Sequence, residues 1–171
     1  LRFSLALVCL EAEAWREAIV YLEELVERGS HVDAAHYNLA RAYEALKQPE
    51  SALIEYQLVG PGNDFLPAQA RQTDLLLNSQ RLDEASARLA SARENQPDYA
   101  IQLYLIEAEA LAKLQQEERA WLLIQQALEQ FPDDLNLLYT RAMLAEKRDD
   151  LEQRSATPWP TALRATVKRK P

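Results

Sequence analysis

Apolar residues recur every three or four positions along most of the chain, which is the spacing of helices that bury one face. The pattern is clearest in residues 99–132, where it predicts two helices joined by a tight turn. Small side chains at Ala108 and Ala120 would let the two helix backbones approach closely, while Leu111 fills the space beside them. We take this helical hairpin as the unit of the fold.

The same arrangement of small and large residues recurs about every 34 residues, which is the signature of a repeat architecture. Small residues early in each predicted second helix are separated by 34, 33 and 35 positions: Ala18, Ala52, Ala85 and Ala120. The matching small positions in the preceding helices are Ala6, Ala40, Thr73, Ala108 and Ala142. We therefore predict helical hairpins that stack side by side along the chain.

The periodicity also gives the helix boundaries. It predicts helices at 1–12, 15–28, 33–47, 50–59, 66–79, 82–95, 98–114, 117–130 and 134–148. Pro97 and Pro132 end two of the units, because proline lacks a backbone N–H and restricts the residue before it. The segment 60–64 contains two glycines and a proline, so we expect it to be the one extended loop and the best candidate for a hinge.

This pattern resembles the tetratricopeptide repeat (TPR) family over about residues 1–153. The resemblance is strong in 99–132 and in 33–59, through Leu39, Ala40, Tyr43, Ala52 and Tyr56. It is weaker in 67–97, where Gln72 and Thr73 replace the usual leucine and small apolar residue. It implies an all-α solenoid with a right-handed superhelical twist, built from four repeats and a half repeat, at about 1–32, 33–64, 65–97, 98–132 and 133–153.

The repeat pattern breaks after residue 153. Arg154 stands where a small residue is expected, and residues 154–171 contain five basic residues and no acidic one. The sequence Pro-Trp-Pro at 158–160 excludes a regular second helix there. We predict an irregular tail and interpret it as a repeat series interrupted by truncation or by a changed reading frame. A natural basic tail is the alternative.

The composition limits the classes of function and of binding site that the chain can have. The formal net charge of −8 makes nucleic-acid binding by the whole surface unexpected. The single cysteine, Cys9, excludes an internal disulfide and a cysteine-rich metal site. The apolar start of the chain fits a signal peptide poorly because it carries Arg2 and is followed by Glu11, so we interpret it as the inside of a first helix. Any targeting signal or lipid anchor would then lie upstream of Leu1.

No arrangement of residues points to catalysis. The chain has no glycine-rich phosphate loop, no zinc-binding H-E-x-x-H and no G-x-S-x-G element. Adjacent acidic pairs such as Glu117 and Glu118 point about 100° apart on a helix, so they do not converge on one substrate atom. His36 falls on a large-residue position and is expected in the core. We predict a non-enzymatic protein that needs neither a cofactor nor a metal ion.

The resemblance implies where a partner would bind. In TPR proteins the first helix of each hairpin lines a concave groove, and the groove-facing residues lie three before and one after its small position. In this sequence those positions are Phe3, Leu7, Tyr37, Arg41, Ala70, Asp74, Leu105, Glu109, Tyr139 and Met143. Glu44, Leu77, Lys113 and Glu146 lie one helical turn further on.

These side chains give a groove that is aromatic and aliphatic with mixed charges. Tyrosine, methionine and arginine are enriched in the centres of protein interfaces. We therefore expect an adaptor or scaffold that holds another protein, or an extended segment of one. Of the ten positions only Arg41 is basic, while Asp74 and Glu109 would repel carboxylates. We accordingly expect no tight binding of the acidic C-terminal tails that TPR co-chaperones recognise.

Residues 1–153 also resemble part of the Gram-negative outer-membrane TPR lipoproteins. The resemblance implies an adaptor that brings cell-wall hydrolases to a carboxyl-terminal processing protease in the periplasm. The location would then be the periplasmic face of the outer membrane, and otherwise the cytoplasm. Two alternatives stay open. The module could assemble with itself through exposed solenoid ends, where Leu135, Leu138 and Ala142 would lack a covering helix, or it could be the TPR arm of a larger enzyme.

Overall fold

The computed structural model describes residues 1–156, and the side chains of residues 1–149. Every regular element in this range is helical, which confirms the all-α prediction. The helices are α1 Arg2–Glu11, α2 Trp15–Glu27, α3 Val32–Ala45, α4 Pro49–Gln57, α5 Phe65–Asn78, α6 Leu82–Asn95, α7 Ala100–Lys113, α8 Glu117–Gln130 and α9 Leu135–Ala156. A single turn of 3₁₀-helix, Pro97–Tyr99, precedes α7.

Eight of these helices agree with the sequence prediction to within two residues at each end. The exception is α9, which continues eight residues beyond the predicted end at 148. Residues 149–156 contain no glycine or proline, so nothing in the sequence ends the helix there. The first three residues of the predicted basic tail are therefore helical, and residues 157–171 lie outside the described part of the chain.

The first helix of each of the four hairpins, α1, α3, α5 and α7, ends in the same kind of turn. The residue that reverses the chain has a left-handed backbone conformation, with φ between 56° and 60°, at Glu13, Lys47, Gln80 and Gln115. In the third of these turns the Arg81 amide donates to the Leu76 carbonyl at 2.8 Å and the Gln80 amide donates to the Leu77 carbonyl at 2.9 Å. This pair of bonds is the Schellman motif, which satisfies the last carbonyls of a helix.

The four turn residues are 34, 33 and 35 positions apart, the same intervals as the small residues that defined the repeat. The backbone therefore repeats with the sequence. None of the four is glycine or asparagine, the residues that usually adopt this conformation, which is why residue type alone did not mark these turns.

The chain divides into two compact units, Leu1–Ala110 and the part from Leu111 onward. The core of the first unit is a succession of small clusters, each joining consecutive helices. One cluster joins α1, α2 and α3 around Leu10, Leu22 and Leu39. Another joins α5, α6 and α7 around Leu89 and Leu103. Neighbour-to-neighbour packing of this kind is expected for a repeat protein.

The small positions of the repeat lie in the core, as the pattern predicted. The buried ones are Ala6, Ala18, Ala40, Ala52, Thr73, Ala85, Ala108 and Ala120. Ala142 differs, because it is exposed on α9. In the part of the chain from Leu111 onward, Ile124 on α8 and Leu137 on α9 are fully buried. The start of α9 is capped by Asp134, whose carboxylate accepts from the Leu137 amide at 2.9 Å.

The loop between α4 and α5, residues 58–64, is the longest connection between two described helices, as predicted. It is tied down, because the Gly60 amide donates to the Asp33 carboxylate of α3 at 2.7 Å. A Cβ at Gly60 would lie 2.9 Å from that carboxylate oxygen, so a larger residue there would require the Asp33 side chain to shift. The hinge expected in this loop stays a prediction.

Candidate functional site

The predicted groove residues all remain accessible to solvent. Of the ten groove positions, five are exposed: Leu7, Arg41, Glu109, Tyr139 and Met143. The other five are partly buried: Phe3, Tyr37, Ala70, Asp74 and Leu105. The candidates one turn further on divide similarly, with Glu44 and Leu77 partly buried and Lys113 and Glu146 exposed. None belongs to the buried core, so each can contact a partner with at least part of its side chain.

Aromatic side chains on α1 and α3 are partly committed to the protein itself. The Phe3 ring stacks on His31 with centroids 4.8 Å apart and an interplanar angle of 13°. The Tyr37 ring lies 5.8 Å from the buried ring of Tyr56. Arg41 donates to the side-chain oxygen of Asn38 at 3.1 Å. Phe3 and Tyr37 therefore stabilise the fold as well as offering a contact surface.

Glu44 is a structural residue rather than a free groove carboxylate. It accepts a hydrogen bond from the hydroxyl of Tyr56 on α4. Two further bonds come from the Arg71 guanidinium on α5, at 3.2 Å from Nε and 2.8 Å from Nη2. Such two-point arginine–carboxylate pairs are strong and directional. The three residues link three consecutive helices, so Glu44 is not available to a partner without breaking this arrangement.

Burial is the main cause that raises the pKa of Tyr56 well above its ordinary value, and the bonded, negatively charged Glu44 raises it further. The Arg71 guanidinium opposes the shift. The buried phenol is consequently protonated at any pH in which the protein would work, and its hydroxyl donates a hydrogen bond to Glu44.

A cleft of about 330 Å³ lies beside this arrangement and was not recognised in the sequence. Its lining includes Trp15 from the start of α2 and three cations, Arg41, Lys47 and Arg71. Glu44 neutralises Arg71, which leaves two cations without a carboxylate partner in the cleft. The groove positions taken from the repeat pattern include Arg41 but neither Lys47 nor Arg71, so the sequence showed Arg41 as an isolated positive charge. Only the folded chain brings the three together.

The exposed apolar residues of α9 form one stripe. Leu135, Tyr139 and Met143 follow each other at intervals of four residues, so they lie on the same side of the helix. Their exposed fractions are 80%, 68% and 41%. From the sequence we placed Tyr139 and Met143 in the groove and Leu135 at the solenoid end that lacks a covering helix. In the structure all three lie on one surface of α9. Leu138, which we expected to be exposed, is half-buried.

The remaining candidates on α5 and α7 contribute smaller contacts. Asp74 and Glu109 both have interaction partners within the protein, so neither is an unpaired charge. Leu77 and Leu105 are half-buried and offer part of an aliphatic surface.

The described residues contain no group of three side chains that could hold a metal ion. His36 is buried, as predicted, and its Nδ1 lies 2.7 Å from the Glu55 carboxylate. Among residues 1–156, no helix combines the length and apolarity that crossing a membrane requires.

Comparison with known proteins identifies the repeat. The sequence profile of the tetratricopeptide repeat matches residues 3–63 and 71–124. The chain belongs to the tetratricopeptide repeat family. The gap in the match, 64–70, covers the end of the loop and the start of α5, and it overlaps the start of the unit 67–97 that resembled the family least. TPR domains are interaction modules, and this is the function class that the family membership supports.

A curated sequence relative is the TPR repeat-containing protein PA4667 of Pseudomonas aeruginosa, with 66% identity over 122 residues. The match covers 71% of this TPR chain and 21% of the relative, so the chain spans about a fifth of the relative's length. Among solved structures, the MamA RS-1 ArsTM double mutant aligns with a TM-score of 0.54 at 18% identity, over 90% of this chain and 86% of its own. That likeness concerns the fold alone.

Proposed function

We propose that this TPR chain is part of a scaffold that binds a partner protein, or an extended segment of one, on the exposed faces of its first helices. The observation that supports this most is the exposed apolar stripe on α9. Tyr139 and Met143 occupy positions that contact ligands in the family, and both present much of their surface to solvent. Exposed aromatic and methionine side chains on one surface are typical of protein-binding sites.

The first unit contributes a second, chemically different contact surface in this proposal. Leu7 on α1 and Arg41 on α3 are both exposed. Arg41 lies at the cleft beside Trp15, so a partner meets a cation and an aromatic ring there. Tryptophan and arginine are the residues that most often dominate binding energies at interfaces.

At a finer level we propose that the partner is a carboxyl-terminal processing protease, and that the scaffold delivers cell-wall hydrolases to it. This rests on the resemblance of residues 1–153 to Gram-negative outer-membrane TPR lipoproteins. The relative with 66% identity comes from Pseudomonas aeruginosa, a Gram-negative bacterium, which is consistent with the proposal. A periplasmic site at the outer membrane would follow from it.

The experiment is a binding measurement between this chain and a purified carboxyl-terminal processing protease, followed by fluorescence anisotropy. Two variants remove the proposed contacts separately, Tyr139→Ala/Met143→Ala on α9 and Leu7→Ala/Arg41→Ala on α1 and α3. The matched control is Ile54→Ala/Leu122→Ala, which removes apolar side chains of 60% and 59% exposure from second helices.

We expect either groove variant to weaken binding at least tenfold, while the control changes it less than twofold. If the groove variants and the control variant weaken binding equally, the predicted groove is not the binding site. Absence of binding to the protease by the unmodified chain would reject the finer proposal, and capture of another protein through the same residues would leave the scaffold function in place.

A second candidate function is self-assembly through the α9 stripe, because Leu135 is the most exposed large apolar residue within a described helix. Sedimentation at several concentrations tests it. A dimer that Leu135→Lys dissociates would support self-assembly, whereas a monomer at every concentration would reject it and favour binding to a different protein.

A further inference from the structure

The cleft beside Trp15 shares one residue with the ten predicted groove positions, Arg41. The rest of its lining comes from the start of α2, the end of α3, the turn before α4 and one arginine of α5: Trp15, Glu44, Ala45, Lys47 and Arg71. The cleft therefore adds a second-helix residue and a turn residue to the surface that the repeat pattern predicts.

This cleft is positively charged in a protein that is negative overall. Its lining holds three cations and a single carboxylate, whereas the whole chain has a formal net charge of −8. The carboxylate, Glu44, is occupied by Arg71 and Tyr56. In the described part of the chain, Arg41 donates to the neutral side chain of Asn38 at 3.1 Å, and Lys47 forms no ion pair. Two uncompensated cations thus lie at one cleft.

The charges and the aromatic ring together restrict the occupant. Lysine and arginine bind carboxylates through charge-assisted hydrogen bonds, whereas a nucleic acid is repelled by the overall negative charge. Trp15 is partly buried and supplies an aromatic surface next to the cations. The composition of the cleft therefore suits a carboxylate that has an apolar group beside it.

Exposure of the cleft favours a protein segment over a small molecule. Arg41, Ala45 and Lys47 are all exposed, so the cleft is open to solvent along this side. Small-molecule sites bury most of the surface of their ligand, and a small carboxylate would remain largely hydrated here. A segment of a protein gains further contacts from the surfaces that surround the cleft.

We propose that this cleft receives an acidic side chain of the partner protein, with the carboxylate between Arg41 and Lys47 and a neighbouring apolar side chain against Trp15. The inference rests on the proposed scaffold function and specifies the chemistry of the segment that the scaffold binds. It differs from the recognition of acidic C-terminal tails, because Trp15 and Lys47 lie outside the groove positions and a side-chain carboxylate needs no free chain end.

The test uses the full chain labelled with ¹⁵N and the capped peptide acetyl-Ala-Leu-Glu-Leu-Ala-amide. We expect a saturable shift of the Trp15 indole signal in NMR spectra at millimolar peptide, with the signal assigned through Trp15→Phe. The indole signal of Trp121, a ring that lies 4.8 Å from the Arg148 guanidinium on α9, should not move.

Two further peptides separate the contributions of charge and apolar contact. Glutamine in place of glutamate keeps the shape and removes the charge, and we expect that peptide to bind at least about fivefold more weakly. Serine in place of both leucines removes the contact to Trp15 and should weaken binding about threefold. Raising the salt concentration should weaken the glutamate peptide more than the glutamine peptide, because salt screens exposed charges.

A charge-removing variant checks the location. Lys47→Gln places glutamine at a left-handed turn position where Gln80 and Gln115 occur in the equivalent turns, so the fold accommodates it. It should weaken the glutamate peptide about threefold to fivefold, the range of an exposed ion pair. Arg41→Gln/Lys47→Gln should abolish the Trp15 shift, and circular dichroism establishes that it is folded. Lys147→Gln, an equal charge change at an exposed position of α9, should bind normally.

The proposal is overturned if the glutamate peptide causes no shift, if the glutamine peptide binds equally well, or if Lys47→Gln binds as the unmodified chain does. It is also overturned if only a peptide with a free C-terminal carboxylate binds, or if inorganic phosphate binds the cleft more tightly than the peptide. The scaffold function is decided separately, by binding of the protease and its loss in Tyr139→Ala/Met143→Ala, a variant that should bind the glutamate peptide normally.

Discussion

The guanidinium of Arg93 on α6 lies 2.6 Å from the carboxylate of Glu107 on α7, and only 13% and 8% of the two side chains are exposed. The same guanidinium lies 4.2 Å from the centre of the Tyr104 ring. A buried ion pair adds little net stability over an apolar pair, but removing one partner leaves a buried charge uncompensated. The pair therefore makes the packing of α6 against α7 sensitive to single substitutions.

We predict that Glu107→Ala lowers the free energy of unfolding by about 3 kcal/mol, because Arg93 is left without its counterion in a dry site. The control is Glu118→Ala, which breaks the 3.2 Å contact to Arg148 at a carboxylate that is 65% exposed. That change should cost less than about 1 kcal/mol. Urea denaturation of both variants measures the difference, and similar midpoints would contradict the prediction.

The left-handed turn residues give a stabilising prediction. Gln80 adopts φ 58° between α5 and α6, a conformation that is unfavourable for a residue with a Cβ. Gln80→Gly should stabilise the protein by about 0.5–1 kcal/mol, because the relief of strain exceeds the added entropy of the unfolded chain.

Gln126→Gly, an exposed position inside α8, should instead destabilise the protein by about 1 kcal/mol. Thermal unfolding of the two variants separates them. A lower midpoint for Gln80→Gly than for the unmodified chain would show that this turn is not strained.

The pKa of Tyr56 predicts how stability falls at alkaline pH. Burial and the bond to Glu44 raise this pKa above the unfolded value of about 10. Above that value the folded state holds a proton that the unfolded state releases, so Tyr56 contributes stability that is fully present below about pH 10 and declines above it. The decline is at most about 1.4 kcal/mol per pH unit for one proton.

Tyr56→Phe should therefore make the denaturation midpoint fall less steeply between pH 9 and pH 11 (values near the tyrosine pKa of about 10). The variant should also lose about 1 kcal/mol at neutral pH, because Glu44 loses a hydrogen bond. Tyr139→Phe, at an exposed tyrosine, is the control. If Tyr56→Phe and Tyr139→Phe have the same pH profile, Tyr56 is not the group responsible.

The comparison of sequence and structure shows what periodicity can predict. Helix boundaries and the buried small residues such as Ala52 followed from the repeat, because both depend on contacts between neighbours in sequence. The turn at Gln80 did not follow, because its left-handed conformation is imposed by the Schellman hydrogen bonds rather than by residue type. Helix α9 extends beyond its predicted end at 148, because residues 149–156 contain no glycine or proline that would end it.

The candidate sites were predicted less completely, because they combine residues that are far apart in the sequence. Positions such as Tyr139 were assigned through the family pattern, which is applied to each helix separately. The cleft beside Arg41 needs side chains from several helices and from a turn. Arg71 meets Glu44 across 27 residues of sequence, and no periodicity indicates that contact.

The repeat register itself can be tested by overpacking. Ala52 and Ala120 are fully buried at equivalent positions of their hairpins, where the backbones of neighbouring helices approach closely. Ala52→Leu and Ala120→Leu should each cost about 1–3 kcal/mol, because the added methyl groups force the helices apart. Gln126→Leu adds a similar apolar side chain at an exposed position of α8 and should change stability by less than about 0.5 kcal/mol. Denaturant midpoints provide the measurement. Because the two alanines lie in different repeats, a large cost at one and none at the other would show that the small position is not equivalent in both hairpins, and the repeat alignment would then be wrong for the tolerant one.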